Sequence, residues 1–124
     1  MVGKTQERRR WAEDLAARHL RGLGLKELHR NYLCRGGEID IIMQEKATVV
    51  FIEVRYRRSS GLYGGARETL GATKKARLLR AASHYLLSRR GGVDAPCRFD
   101  LVAVEGEPHA PKIEWIKAAF DARS

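Results

Sequence analysis

The 124-residue sequence predicts a single α/β domain, and three observations carry that prediction. Residues 37–57 read as a β-hairpin. Residues 10–21 and 74–89 each project as an amphipathic helix. "CRFDLVAV" supplies a buried strand after the second helix, so strand, helix and strand form a crossover. Residues 1–124 suit one hydrophobic core and leave no room for a second beside it. The expected architecture is a mixed sheet built on the hairpin, with both helices packed against it.

In the first helix, Arg10, Asp14, Arg18 and Arg21 gather on a narrow polar arc at about 100° per residue, and Trp11, Ala12, Leu15, Ala16, Ala17 and Leu20 fill the wide apolar face. Glu13 breaks the pattern, because it projects between Ala17 and Leu20. Two readings stay open. Glu13 is either a first-turn carboxylate, favoured by the helix dipole and within reach of water, or an acid with a use at the core face. Gly22 and Gly24 then supply helix-stop chemistry, and "LKELHRNYLC" follows as a first strand.

The hairpin is the best-defined segment. "GEIDIIM" and "TVVFIEVRYR" are rich in β-branched and aromatic residues and flank the polar turn "QEKA". Residues two apart share a face, so Val50, Ile52, Val54 and Tyr56 make one purely hydrophobic face, while Glu53 and Arg55 lie with Phe51 on the other. A turn centred between Lys46 and Ala47 sets Asp40 directly across from Glu53. Two carboxylates opposed at about 5 Å repel one another, so something positive is expected between them. Arg55 is one candidate partner. A divalent cation is the other, because hard ions such as magnesium take carboxylate oxygens and retain several waters.

In the second helix Leu78, Leu79, Ala82, Tyr85, Leu86 and Leu87 form the apolar arc, with Arg77, Arg80 and His84 opposite, Lys74 at the border and Lys75 inside the arc. Both lysines lie in the first turn, where they can snorkel to solvent. "RRSSGLYGGARETLGAT", before this helix, is turn-rich without a phosphate-loop pattern, and reads as the border of a nucleic-acid channel or as an ordinary loop. Asp100 pairs most economically with Arg98 on its own strand face and is left out of any site. "KIEWIKAAF" is expected to add a last strand and a short helical turn, with Trp115 and Phe120 as core anchors.

Lys and Arg number 24 against 15 Asp and Glu, a net charge of +9, and the excess clusters in "KTQERRR", "RYRR", "KKARLLR" and "SRR". Polyanions are the natural partner for such a surface. The hydrophobic fraction of 44% argues against disorder, and no apolar run approaches the roughly 18 to 20 residues of a membrane span. The N-terminus lacks the apolar core of a secretory signal, so a soluble, cytoplasmic protein without membrane attachment is expected. Cys34 and Cys97 form no CxxC pair and are expected to be reduced, partly buried thiols. His19, His29, His84 and His109 lack zinc spacing, and neither a GxSxG elbow nor a dinucleotide GxGxxG is present.

Asp40, twelve intervening residues, then Glu53-Val54-Arg55 resembles the active-site motif of the restriction-endonuclease-like nucleases, Asp followed by Asp/Glu-x-Lys. The likeness is wider than this motif. "WAEDLAARHL", "NYLCRGGEIDII", "VVFIEVRYR", "YGGA", Lys74, "CRFDLVAV" and "EWIKAAF" run in the order found in the YraN-like family, uncharacterised protein family 0102. Its members are small bacterial proteins assigned to the restriction-endonuclease-like superfamily and described as similar to Holliday junction resolvases. The resemblance covers nearly the whole chain. It implies a restriction-endonuclease-like domain whose hairpin carries an acidic site.

By position, Glu13 matches the acidic residue of the family's first helix, Asp40 and Glu53 match its metal-binding acids, and Lys74 matches a lysine opening its second helix. Arg55 stands where the nucleases usually carry lysine. Arginine stays protonated and cannot act as a general base, yet it can hold a phosphate or stabilise developing charge. Alternatively Lys74 supplies the ammonium, as in superfamily members whose lysine has moved to another element.

The resemblance thus implies a divalent-metal-dependent nuclease acting on nucleic acid, DNA ahead of RNA, with branched DNA a candidate substrate and a homodimer a candidate assembly. Glu13, Asp40, Glu53 and Arg55 are the expected catalytic residues, and the three acids the expected ligands of Mg2+ or Mn2+. Arg55, Arg57, Arg58, Lys74, Lys75 and Arg77 are the expected nucleic-acid contacts. A second reading is a catalytically inactive nucleic-acid-binding module in which Arg55 neutralises the acids. A third is a protein-interaction subunit.

Overall fold

The computed structural model describes residues 4–58, 71–89 and 94–120. Along the chain these form α1 (Lys4–Gly22), β1 (Lys26–Cys34), β2 (Gly37–Glu45), β3 (Thr48–Arg57), α2 (Ala72–Ser88), β4 (Cys97–Glu105) and β5 (Lys112–Phe120). The strands make one five-stranded sheet in the order β1-β2-β3-β4-β5. Every neighbouring pair is antiparallel except β3 and β4, which are parallel. A parallel pair needs a crossover, and α2 lies in that connection, so the sheet is mixed as expected.

Strand alternation places the helices on opposite faces. Val50 and Ile52 of β3 pack with Ala12, Ala16, Ala17 and Leu20 of α1, and Val54 and Tyr56 extend that cluster. Val49 and Phe51 pack with Leu78, Ala81 and Ala82 of α2. The hydrophobic face read from the hairpin is therefore the seat of α1, and the sheet is the middle of three layers.

Helix α1 stops where its glycines indicate. Gly24 takes φ +101°, the Leu25 N–H donates to the Leu20 carbonyl at 3.1 Å and the Gly24 N–H to the Arg21 carbonyl at 3.0 Å. That is a Schellman closure, with Leu20 and Leu25 both buried beside it. Helix α2 is seated by a different glycine. A methyl group on Gly37 would lie 2.3 Å from the Arg77 carbonyl oxygen and 2.9 Å from the Ala81 nitrogen, so the start of β2 touches the α2 backbone.

Several expectations change. Helix α1 begins well before Glu13, so Glu13 is not in the first turn, and it is buried. "KIEWIKAAF" is strand throughout, because β5 pairs with β4 from Glu105–Lys112 to Phe99–Phe120 across a register shift. Trp115 and Phe120 are half-buried against the two clusters. Leu87, expected on the apolar arc, is 71% exposed. Cys34 and Cys97 are free, Cys34 half-buried but Cys97 exposed. Most of "RRSSGLYGGARETLGAT", the candidate channel border, lies outside the described residues. Among those described, no helix is long and apolar enough to cross a membrane.

Asp100 is structural, as read. Its buried carboxylate accepts from Arg98 Nε at 3.0 Å, Trp115 Nε1 at 2.8 Å and the Ala118 N–H at 2.9 Å, where Ala118 takes φ +52°. These bonds fasten the register shift of β5 to β4.

Candidate active site

The hairpin register is the one the turn predicts. Glu45 pairs with Thr48, and the ladder runs regularly to Ile41 opposite Ile52, which sets Asp40 level with Glu53. Past that point the Val54 N–H donates to Asp40 Oδ2 at 2.8 Å, so its acceptor is a side chain and not the β2 backbone.

Strand β2 also changes face here. Ile41 packs in the α1 cluster, whereas Ile39, two residues earlier, packs in the α2 cluster. Strand β1 does the same at the same level: Arg30 bonds Asp14 of α1 at 2.6 Å, while Tyr32 packs on the α2 side. The pairs Arg30–Ile41 and Tyr32–Ile39 bracket Asn31 and Asp40, and Asn31 takes the left-handed φ of +52°. Strict alternation fails at one rung, and the acids gather beside it.

Glu13 from α1, Asp40 from β2 and Glu53 from β3 are only 6%, 6% and 5% exposed. Each carboxylate has one oxygen engaged by a donor from a different element. Asn31 Nδ2 donates to Glu13 Oε1 at 2.9 Å, the Val54 N–H to Asp40 Oδ2 at 2.8 Å, and Lys74 Nζ lies 2.9 Å from Glu53 Oε2.

The acids repel one another. Burial, then the Glu53 charge, pushes the Asp40 carboxyl up from 3.8 to about 8, against the Val54 N–H that lowers it; Glu13 adds a further upward push. Two carboxylate charges about 5 Å apart cost about 3 kcal/mol at an effective dielectric of about 20. The Lys74 side chain is 52% exposed, and an ion pair of that kind returns only about 0–1 kcal/mol. The repulsion on Asp40 outweighs what that exposed pair returns.

A proton on Asp40 relieves that repulsion, and so would a divalent cation. The donors are all carboxylate oxygens from separate rigid elements, the chemistry that hard cations take. Among the described residues no three acidic, histidine or cysteine side chains are already closed round a common point.

The other residues singled out from sequence are more dispersed. Arg55 is half-buried on β3, level with Ala103 of β4. Arg57 is exposed at the end of the same strand. Arg58 pairs with Glu107 at 2.7 Å, and Lys75 lies over the Phe120 ring at 5.6 Å from its centroid. Arg77 is exposed on α2. Lys74 reaches the acids through Glu53. Asn31 and Gly37 carried no signal in the periodic reading, although both stand in the quoted segment "NYLCRGGEIDII".

Fold and site together define a three-layer α/β protein with a buried acidic cluster where two central strands part. The chain belongs to the uncharacterised protein family UPF0102, whose model matches residues 12–104 and so spans Glu13, Asp40, Glu53 and Lys74. Its relatives are bacterial. A UPF0102 protein of Pseudomonas entomophila is 49% identical, the match covering 89% of each chain. One of Nitrosococcus oceani is 47% identical over 91% of this chain and 90% of its own, and one of Nitrosomonas europaea 51% identical over 89% and 90%.

Proposed function

We propose that this protein is a divalent-metal-dependent nuclease with a restriction-endonuclease-like fold, hydrolysing phosphodiester bonds in DNA, with branched DNA among its substrates. The observation that carries the reading is the burial of Glu13, Asp40 and Glu53, from three elements, with the charges of Glu53 and Glu13 both acting on Asp40. A net charge of +9 together with buried acids suits a polyanionic substrate joined through a cation.

Asp40 and Glu53 would hold Mg2+ or Mn2+, with Glu13 completing the set directly or through water. The ion's contribution is to lower the pKa of a bound water and offset charge on the reacting phosphate. Lys74, on Glu53, orients that carboxylate and brings an ammonium to the scissile group. Arg55 holds a phosphate oxygen beside it. Arg57, Arg58, Lys75 and Arg77 steer and hold the backbone of the nucleic acid farther out.

Calorimetric titration with Mn2+ and Mg2+ tests the site. The parent binds, and Asp40→Ala loses most of the affinity; Asp40→Ala binding as tightly as the parent sinks the reading. The inactive binding module is the second reading, favoured by the ion pair already formed between Lys74 and Glu53. It predicts DNA binding by a parent that takes up no divalent cation.

A further inference from the structure

We propose that Asn31 is a positioning residue of this acidic site: its amide holds the Glu13 carboxylate toward Asp40 and Glu53, and its left-handed backbone is what brings the amide there. The proposal rests on the cation-binding reading above and deepens it by naming what aligns the third acid.

Four observations meet at this residue. Asn31 Nδ2 donates to Glu13 Oε1 at 2.9 Å, across 18 positions of sequence. Asn31 sits on the rung of Asp40, between the pairs Arg30–Ile41 and Tyr32–Ile39. Its φ of +52° lies where residues other than glycine are uncommon and asparagine is enriched. Both β1 and β2 change face at this rung, since Arg30 and Ile41 serve the α1 side while Tyr32 and Ile39 serve the α2 side.

These facts have one geometric origin. Had β1 kept its alternation, Asn31 would lie on the face opposite Arg30, away from α1. The left-handed residue breaks the alternation, and its short amide reaches Glu13 on α1. Glu13 is buried, so without that donor its carboxylate would have to find another partner. Leu20, Ala16 and Ala17 fix the α1 backbone from the core, but none of them can orient a carboxylate. The amide can. It occupies Oε1.

A purely structural role for Asn31 can be separated from this one. Asn31→Gly keeps the positive φ without strain and removes only the amide. Mn2+ affinity is measured by calorimetry for the parent, Asn31→Gly, Glu13→Ala and the double variant, with melting temperature recorded for each. The expected result is an Asn31→Gly protein that still melts cooperatively and binds Mn2+ about tenfold more weakly, the low end of the roughly 10–100-fold typical of residues that orient a metal ligand. In the double variant the loss is no larger than in Glu13→Ala alone, because Asn31 acts through Glu13.

Losses that multiply independently, or an Asn31→Gly protein that binds as the parent does, overturn the assignment while leaving the metal site standing. A parent that binds no Mn2+ overturns the cation reading and this assignment with it. Should Asn31→Gly fail to fold, Asn31→Asp keeps the shape and the tolerance of positive φ while removing the donor, and the same cycle is read with it. A Glu13→Ala loss as large in that background as in the parent again overturns the proposal.

Discussion

At the scale of single residues, Asp40 sets the chemistry of the cluster. Burial and the neighbouring Glu53 and Glu13 charges raise its carboxyl to about 8 in the folded chain, while Lys74 approaches from α2 onto Glu53. Between about pH 4 and pH 8 the folded state therefore keeps a proton that the unfolded state has lost, and stability falls as pH rises through that window. Asp40→Asn cannot ionise, so its melting temperature relative to the parent should be higher at pH 9 than at pH 5, by roughly 5 °C or more. Equal differences at both pH values would mean that Asp40 ionises freely in the fold. Lys74→Ala should slow DNA cleavage about 10²–10³-fold, the usual cost of removing one group that stabilises developing charge, measured in single turnovers with Mn2+. Glu13 was legible in the sequence because a carboxylate among Ala17 and Leu20 breaks a helical pattern. Asn31 was not, because its importance lies in a backbone angle that no periodicity encodes.

At the scale of elements, the position of the site depends on how closely α2 approaches β2. Gly37→Ala sets a methyl group 2.3 Å from a backbone oxygen, which neither element can escape by a rotamer change. A loss of about 1–3 kcal/mol in urea unfolding is expected, with weakened Mn2+ binding because Lys74 rides on the same helix. Unchanged stability would show that α2 is free to move off the sheet. Gly24→Ala, at φ +101° but with open space around it, should cost only about 1–2 kcal/mol and leave the site intact. The hairpin register was legible because a two-residue turn between β-branched strands has few alternatives. The final strand was misread at its end. Lys117, Ala118 and Ala119 favour helix locally, but pairing with β4 and the Ala118 N–H bond to Asp100 override that preference.

At the scale of the molecule, a chain of net charge +9 holds three buried acids, Glu13, Asp40 and Glu53. Binding to duplex DNA should weaken with salt, log affinity falling by about 0.9 per phosphate neutralised for each decade of salt. Arg77→Ala should flatten that slope by about one such increment without changing Mn2+ affinity, a pair of outcomes measurable by fluorescence anisotropy and calorimetry. The layered α/β arrangement was readable from hydrophobic period alone, since each helix needed one face of one sheet. The meeting of Glu13 with Asp40 was not readable that way, because it depends on two strands changing face at a shared rung. The central claim is tested most directly by incubating labelled four-way-junction, duplex and single-stranded DNA with Mg2+ or Mn2+ and comparing the parent with Glu53→Ala. Cutting of at least one substrate by the parent, lost in Glu53→Ala, is the predicted result. Binding without cutting under every condition, or cutting that survives Glu53→Ala, would contradict it.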